Sequence, residues 1–366
     1  MRISDLVAAM EKIAPTRLAE SWDNVGLIVG DSNHSLSKIL FAIDYTPAVA
    51  AEAKQLDCDA ILAYHPPIFD GLKQITATNS ANLIHDAIAR GISIYSPHTA
   101  LDVAEGGTND VLADLLGLVD RKPLKQGPPK ASQLKLVVFV PIDSFEKVSS
   151  AIYAAGAGQL GNYSNCGYRV TGTGTFQGND ESNPAIGEKG KLESVEEYRF
   201  ETLVPVSKLT AVLAALREAH PYEEPAYDLL MLQAEPNDTG IGRIGKLPSP
   251  QSVDHISEIL KRELGVNALL IAGETNRQVK TVAMCAGACG KLLDDAIAAK
   301  VDLYITGEMR HHDAIKAARA GLTVICTLHS NSERITLKRL RDRLAADLPG
   351  VELLLSQQDR DPFVVR

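Results

Sequence analysis

Apolar positions along the first 120 residues follow two alternating patterns. Residues 3–13 carry apolar side chains at helical spacing, with Ser4 and Asp5 as candidate capping residues near the start. The run KILFAID (38–44) is short and rich in strand-forming residues, and an Ala-rich stretch with helical spacing follows it. The same alternation recurs at AILAYHPP and at SIYSPHTALD, each read as a strand with a helical segment behind it. This rhythm predicts βαβ units and a parallel sheet.

The pattern changes after residue 120. RKPLKQGPPK (121–130) is basic and Pro-rich, which predicts a turn-forming boundary. The segments beyond it have the order β-α-β-β-α-β, which is typical of a ferredoxin-like domain. PNDTGIGRIGKLPSPQ (235–250) is predicted to close this unit as a loop, and from about residue 254 the strand–helix rhythm returns.

The simplest architecture is therefore an α/β fold split by an insertion. Residues 1–125 and 236–366 are predicted to form the two halves of an α/β domain, and residues 130–235 an inserted ferredoxin-like α+β domain.

Composition narrows the class of protein. The 366 residues are 45% hydrophobic and 23% charged, which is ordinary for a globular chain. Aromatic content of 5% and a net charge of −9 oppose nucleic-acid binding, which needs a basic face. No apolar stretch approaches the roughly 18 residues of a membrane span, and five cysteines do not suit a secreted disulfide framework. A cytoplasmic protein is predicted.

Histidines and carboxylates follow four of the predicted strands. In chain order these are His65; then His98 and Asp102; then Glu308, His311 and His312; then His329 and Glu333. Open α/β sheets place ligands at the carboxyl ends of their strands, so these residues are candidates for one site. Imidazole nitrogens and carboxylate oxygens suit zinc, iron or manganese, which indicates a centre for one or two metal ions. A pair of cysteines, Cys285 and Cys289, is interpreted instead as buried thiols in a tight turn.

Ordered stretches along nearly the whole chain resemble the GTP cyclohydrolase 1 type 2 homolog family, the Nif-three-like proteins. They are SWDNVGLIVGD, AYHPPIF, SPHTALD with GGTND, ITGE with HHDA, and the closing H-x-x-x-E. GNYSNC, GTGTF, NPAIGEKGKLE and HPYEEPAYDLL resemble the inserted regulatory-protein-like domain of the family's long bacterial members. The resemblance implies a metal-binding α/β domain with one or two divalent ions per subunit. It also implies a homohexamer, either a dimer of trimers or a trimer of dimers.

The resemblance also implies roles for particular residues. Its metal ligands fall on four positions of this chain, His65, Asp102, His329 and Glu333, and Tyr64 stands where the family usually has another histidine ligand. His98 and His312 are assigned to proton transfer or to support of the ligands.

Two functions remain open from the sequence. One is a metal-dependent hydrolase acting on a nucleotide or phosphoester through a metal-activated water. The other is a non-catalytic metal-binding, regulatory or metal-delivery ring that senses a small molecule. The absence of a basic patch opposes direct contact with DNA, as a transcriptional cofactor would need.

Overall fold

The computed structural model describes residues 1–79, 81–127, 133–232 and 239–364. The chain divides into two compact units, Met1–Pro128 with Asn237–Arg366 and, between them, Pro129–Pro236. Among the described residues, no helix has both the length and the apolar character needed to cross a membrane.

Helices and strands are numbered here in chain order over the described residues. The helices are α1 Ile3–Ile13, α2 Pro47–Gln55, α3 Asn82–Arg90, α4 His98–Val103, α5 Thr108–Leu115, α6 Phe145–Ala154, α7 Leu209–Ala219, α8 Val253–Leu264, α9 Leu293–Ala298, α10 His311–Arg319 and α11 His329–Asp347. The strands are β1 Gly26–Val29, β2 Lys38–Ala42, β3 Ala60–Ala63, β4 Ser93–Ser96, β5 Val119–Gln126, β6 Gln133–Pro141, β7 Gly167–Gln177, β8 Leu192–Pro205, β9 Tyr227–Met231, β10 Gly240–Ser252, β11 Leu270–Ala272, β12 Gln278–Cys285, β13 Leu303–Thr306, β14 Thr323–Cys326 and β15 Glu352–Leu355.

The first unit contains two mixed sheets, so the predicted α/β class is confirmed. One sheet has the order β1-β4-β3-β2-β15, in which β15, β2, β3 and β4 are parallel and β1 is antiparallel. The other has the order β11-β14-β13-β12-β10-β5, with β12, β13 and β14 parallel. Every residue of β3, β4, β13 and β14 is buried, because helices cover both faces of parallel strands.

Helix α11 links the two sheets. It leaves β14 of the second sheet and leads to β15, which pairs with β2 of the first. Its buried Leu337, Leu340 and Leu344 share an apolar core with Leu6 and Met10 of α1. The first residues of α11 therefore lie at the carboxyl end of β14 in the second sheet, and the later residues of the helix pack in the core of the first sheet.

The second unit has the predicted element order β6-α6-β7-β8-α7-β9. Its sheet has the order β7-β8-β6-β9, and each neighbouring pair is antiparallel. Val148 and Ile152 of α6, with Val212 and Leu216 of α7, bury their side chains in a core that includes Phe200 of β8. The apolar side chains that have helical spacing in the sequence therefore pack against the sheet.

Two segments differ from the prediction. The Pro-rich boundary is largely strand β5, which pairs antiparallel with β10, and most of the predicted closing loop is β10. Pro123 is compatible with a strand because β5 is the last strand of its sheet, where an N–H on the outer side needs no partner. The strand predicted through SIYSPHTALD ends at Ser96, and His98 begins the short helix α4.

Candidate metal centre

Three predicted ligands meet where the carboxyl ends of β3 and β14 approach each other. His65 follows β3, His329 is the first residue of α11, and Glu333 lies one turn further along the helix. His65 Nε2 is 3.3 Å from Glu333 Oε2, and His329 Nε2 is 3.2 Å from Glu333 Oε1. One ligand atom from each of the three residues falls within 4.8 Å of the others, a spacing that suits a metal ion.

Each histidine is oriented by a second carboxylate. His65 Nδ1 donates a hydrogen bond to Asp44 Oδ1 at 2.9 Å, and His329 Nδ1 donates to Glu308 Oε1 at 3.0 Å. A carboxylate on Nδ1 fixes the tautomer that leaves Nε2 free to bind a metal, and metal-binding histidines commonly have such a partner. Both Nε2 atoms point toward Glu333.

Glu333 is the buried member of the group. Its side chain is 3% exposed, and its Oε2 atom has no hydrogen-bond partner among the described residues. The contact with His65 is therefore an ion pair without hydrogen-bond geometry. A buried carboxylate oxygen left without a donor is costly, which indicates that another group is needed beside it.

Gly287, in the turn after β12, leaves space on the other side of this carboxylate. A Cβ atom there would lie 2.7 Å from Glu333 Oε1 and 3.4 Å from His329 Nε2, and the residue also has a φ of +69°. Ser332 fixes this turn, since its hydroxyl donates to His329 O and accepts from Gly287 N. The chain thus keeps a side chain out of the space that adjoins two candidate ligands.

The charges of the group are coupled. Burial lowers the pKa of His65, but its contacts with Asp44 and Glu333 outweigh burial and raise that pKa to about 10. The contact with Glu333 raises the pKa of His329 to about 9 against the opposing effect of burial. Burial raises the pKa of Glu333, yet the two histidines bring it below its usual value. In the metal-free protein, the Glu333 carboxylate is therefore flanked by two imidazolium groups.

Asp102 lies outside this three-residue group. Its Oδ1 atom accepts a short hydrogen bond from the hydroxyl of Tyr64, which also hydrogen-bonds Thr108 Oγ1 at 2.8 Å. Burial and the nearby Glu333 charge raise the pKa of Asp102 to about 6. The residue that replaces the expected histidine therefore holds the carboxylate that was predicted to be the fourth ligand.

The two other predicted histidines have different surroundings. The His98 ring lies 5.2 Å from the His65 ring, and His98 Nδ1 donates to Asp23 Oδ1 at 2.8 Å. His312 is exposed in the first turn of α10, where its ring contacts that of His311, and no described contact joins it to the three-residue group. Of these two histidines, His98 is the one that lies close enough to the candidate ligands to exchange a proton there.

Backbone conformation adds to the definition of the site. Leu328, directly before His329, has a φ of +70°, and His98 has a φ of +23°. Non-glycine residues in this region cost about 1–3 kcal/mol each and are often found at functional sites. His98 is itself a candidate site residue, and Leu328 directly precedes the candidate ligand His329.

Asp44 and Asp23 were not among the residues predicted from the sequence. Asp44 ends the run KILFAID and obeys the same strand-end rule that identified the histidines, so that signal was available. Asp23 follows no predicted strand. Its side chain is fully buried, and Thr99 donates to it from both the backbone nitrogen and the hydroxyl, a long-range arrangement without a local signature.

Cys285 and Cys289 flank Gly287. They lie in the predicted tight turn but are joined as a disulfide rather than present as two thiols, with a Cα–Cα separation of 6.0 Å.

Comparisons with known proteins agree with one another. The family model for Duf34/NIF3 (NGG1p interacting factor 3) matches residues 1–362. A Mycobacterium tuberculosis protein named GTP cyclohydrolase 1 type 2 homolog is 38% identical over 95% of this chain and 94% of its own. A Bacillus subtilis protein of the same name is 35% identical over 98% and 97%.

Solved structures share the fold. The crystal structure of a Bacillus cereus protein related to NIF3 has a TM-score of 0.73 and 34% identity, covering 100% of this chain and 99% of that one. A Staphylococcus aureus protein has a TM-score of 0.82 at 24% identity with the same coverage, which supports the fold alone.

Proposed function

We propose that this chain, which belongs to the Duf34/NIF3 family, binds a divalent metal ion and hydrolyses a nucleotide or phosphoester. The observation that carries the proposal is the convergence of two histidine Nε2 atoms on one buried carboxylate, Glu333. The printed name of its relatives contains the words GTP cyclohydrolase, which is compatible with a nucleotide substrate.

The residues fit a metal ion on three counts. Glu333 Oε2 is buried without a hydrogen-bond partner, Gly287 leaves space beside Oε1, and each histidine has a carboxylate on the nitrogen that faces away. Two imidazoles and a carboxylate are a donor set that zinc, iron and manganese accept. His65, His329 and Glu333 would therefore hold the ion, with Asp102 available once it is released from Tyr64.

In the proposed hydrolysis, residues of the chain orient the ligand imidazoles and transfer protons. A bound divalent ion supplies Lewis-acid polarisation of the group under attack and lowers the pKa of water toward neutrality. The His98 ring lies 5.2 Å from the His65 ring, and its side chain is 12% exposed. His98 can therefore accept a proton at Nε2 while Asp23 accepts the hydrogen bond from Nδ1. Asp44 and Glu308 keep the two ligand imidazoles in the tautomer with Nε2 free.

Elemental analysis of protein purified without chelator or affinity metal tests the metal site. Wild type should carry about one ion per chain and Glu333→Gln almost none, because the amide removes the charge between the two imidazoles. Glu352→Gln, at a carboxylate that is 56% exposed on β15, is the matched control and should keep the metal. Equal metal in wild type and Glu333→Gln would overturn the assignment.

Turnover is a separate measurement. Metal-loaded protein should hydrolyse at least one member of a panel of nucleoside triphosphates, monophosphates and simple phosphoesters, and His98→Gln should slow it with metal content unchanged. Hydrolysis that persists at the wild-type rate in Glu333→Gln would assign the activity elsewhere.

A specific observation supports the alternative, a non-catalytic metal-binding or metal-delivery protein. Tyr64 engages Asp102, which leaves a three-residue donor set where four ligands were predicted. Full metal loading with no turnover on the whole panel would favour this second function.

Assembly and location complete the proposal. We infer a homohexamer in the cytoplasm, built of chains in which residues 130–235 form an inserted domain. Light scattering of the purified protein should give the mass of six chains. A monomer or dimer at micromolar concentration would contradict the ring.

A further inference from the structure

We propose that Trp22 and Phe69 form a stacking surface for a flat heteroaromatic ring of the substrate, beside the proposed metal centre. This inference rests on the proposed function, and it selects ring-bearing molecules from the two substrate classes left open above.

The two side chains make an exposed stacked pair. Their ring centroids are 5.9 Å apart and the ring planes differ by 15°. Trp22 is 55% exposed and Phe69 is 50% exposed. Single exposed apolar side chains are common, but two large rings stacked on each other in water form a defined apolar surface with no described cover. Such a surface suits the face of a third flat ring.

A series of ring contacts connects this pair to the candidate metal ligands. The His98 ring lies edge-on to Trp22 at 6.0 Å and to Phe69 at 5.8 Å. His98 in turn lies 5.2 Å from the His65 ring, whose Nε2 faces Glu333. A ring placed on the Trp22–Phe69 pair is therefore separated from the ligands by the one histidine that is placed to move a proton.

Hydrogen bonds from neighbouring residues hold both loops in place. Asp23, next to Trp22, is buried and accepts from Thr99 and His98. Asn24 Nδ2 donates to Ile68 O at 2.7 Å, which ties the Trp22 loop to the loop that carries Phe69. The stacking surface is formed before any ligand arrives, and preorganisation of this kind lowers the entropic cost of binding.

Stacking supplies affinity that does not depend on the charge of the ligand. The candidate centre pairs carboxylates with imidazoles, as in Asp44 with His65 and Glu308 with His329, so its charge does not by itself exclude or select a phosphate group. The ring contributes to binding with or without a phosphate, so an uncharged nucleoside should bind.

Trp22 is the single tryptophan of the chain, so its fluorescence reports on this surface directly. Full-length, zinc-loaded protein is titrated with adenosine, guanosine and cytidine, and with ribose 5-phosphate as the ring-free probe. At least one nucleoside should quench the emission saturably, and ribose 5-phosphate should not. No saturable quenching by any nucleoside, or equal quenching by ribose 5-phosphate, overturns the proposal.

Variants assign the effect to the pair. Phe69→Leu should weaken the nucleoside Kd roughly tenfold, the size expected for one lost stacking partner. Phe363→Leu, at another exposed phenylalanine, is the matched control and should leave the Kd unchanged. Trp22→Phe, followed by calorimetry, should retain more affinity than Trp22→Leu because it preserves a ring. Unchanged affinity in Phe69→Leu and Trp22→Leu, with intact circular dichroism, refutes the stacking role.

The metal content of the same samples separates this inference from the proposed function. Bound metal without quenching defeats the stacking surface and leaves the metal centre standing. Quenching without bound metal defeats the metal centre instead. Trp22 emission that shifts with protein concentration alone would mean that the pair is covered by a second copy of the chain, which also overturns the proposal.

Discussion

Tyr64 is the residue through which the number of bound metal ions can be tested most directly. Its buried hydroxyl donates to Asp102 and hydrogen-bonds Thr108. Tyr64→His replaces the phenol with an imidazole ligand and releases Asp102, so a second ion should bind beside the first. Tyr64→Phe releases Asp102 without adding a ligand and is the matched control.

The magnitude follows from the bonds that are lost. Removing the donor from a buried carboxylate costs about 1.5–3 kcal/mol, and losing the Thr108 bond adds about 1 kcal/mol. Without metal, both variants should therefore lower the free energy of unfolding by about 2.5–4 kcal/mol. A second zinc site at one hundred times its Kd returns about 2.7 kcal/mol, and only Tyr64→His should gain this.

Chemical denaturation with and without zinc, together with elemental analysis, measures both quantities. Wild type and Tyr64→Phe should hold about one ion and Tyr64→His about two. Zinc should add about 2.7 kcal/mol more stability to Tyr64→His than to wild type. Equal stoichiometry together with equal zinc-induced increments in all three proteins would refute the reasoning.

Two further predictions concern charge. In chelator-treated protein, the raised pKa values of His65 (about 10) and His329 (about 9) mean that their pairing with Glu333 stabilises the fold fully below the unfolded pKa of about 6.5. That stability is lost as the pH rises through 9 to 10. The difference in unfolding free energy between wild type and Glu333→Gln, measured by urea titration, should therefore be largest near pH 6. A difference that does not change with pH would contradict the pairing. Arg243 is 2% exposed and paired with a carboxylate on α5, so Arg243→Met should lower the free energy of unfolding by about 3–5 kcal/mol. Lys246→Met, at an exposed pair on the same strand, should lower it by under about 1 kcal/mol, as measured by thermal denaturation. Similar losses in the two variants would show that burial does not govern the pair.

Strand ends were the most informative sequence feature. The rule that ligands lie at the carboxyl ends of parallel strands identified His65, His329 and Glu333, and the structure brings these three together. The family inferred from ordered stretches of sequence was confirmed. The rule does not predict that these residues come from two sheets. His65 follows β3 of the first sheet, whereas His329 and Glu333 follow β14 of the second. Pairing between sheets depends on how α11 packs, which no local pattern records.

Strands β5 and β10 were misread for a related reason. Proline and glycine lower the local preference for a strand, and both segments are rich in them. Their pairing across more than 100 residues supplies the ladder hydrogen bonds, and the edge position of β5 accommodates Pro123. Long-range pairing overrides local propensity here, and a single sequence does not reveal it.

The candidate centre is arranged so that protons and metal compete for the same atoms. In the metal-free protein, Glu333 faces two imidazolium groups, whose charge offsets part of the cost of burying the carboxylate. A metal ion held by His65 and His329 would replace their Nε2 protons, so binding should release protons and tighten as the pH rises. Protons on the two imidazoles and a metal ion are thus alternative partners for the same buried carboxylate, and a titration of metal affinity against pH measures that competition.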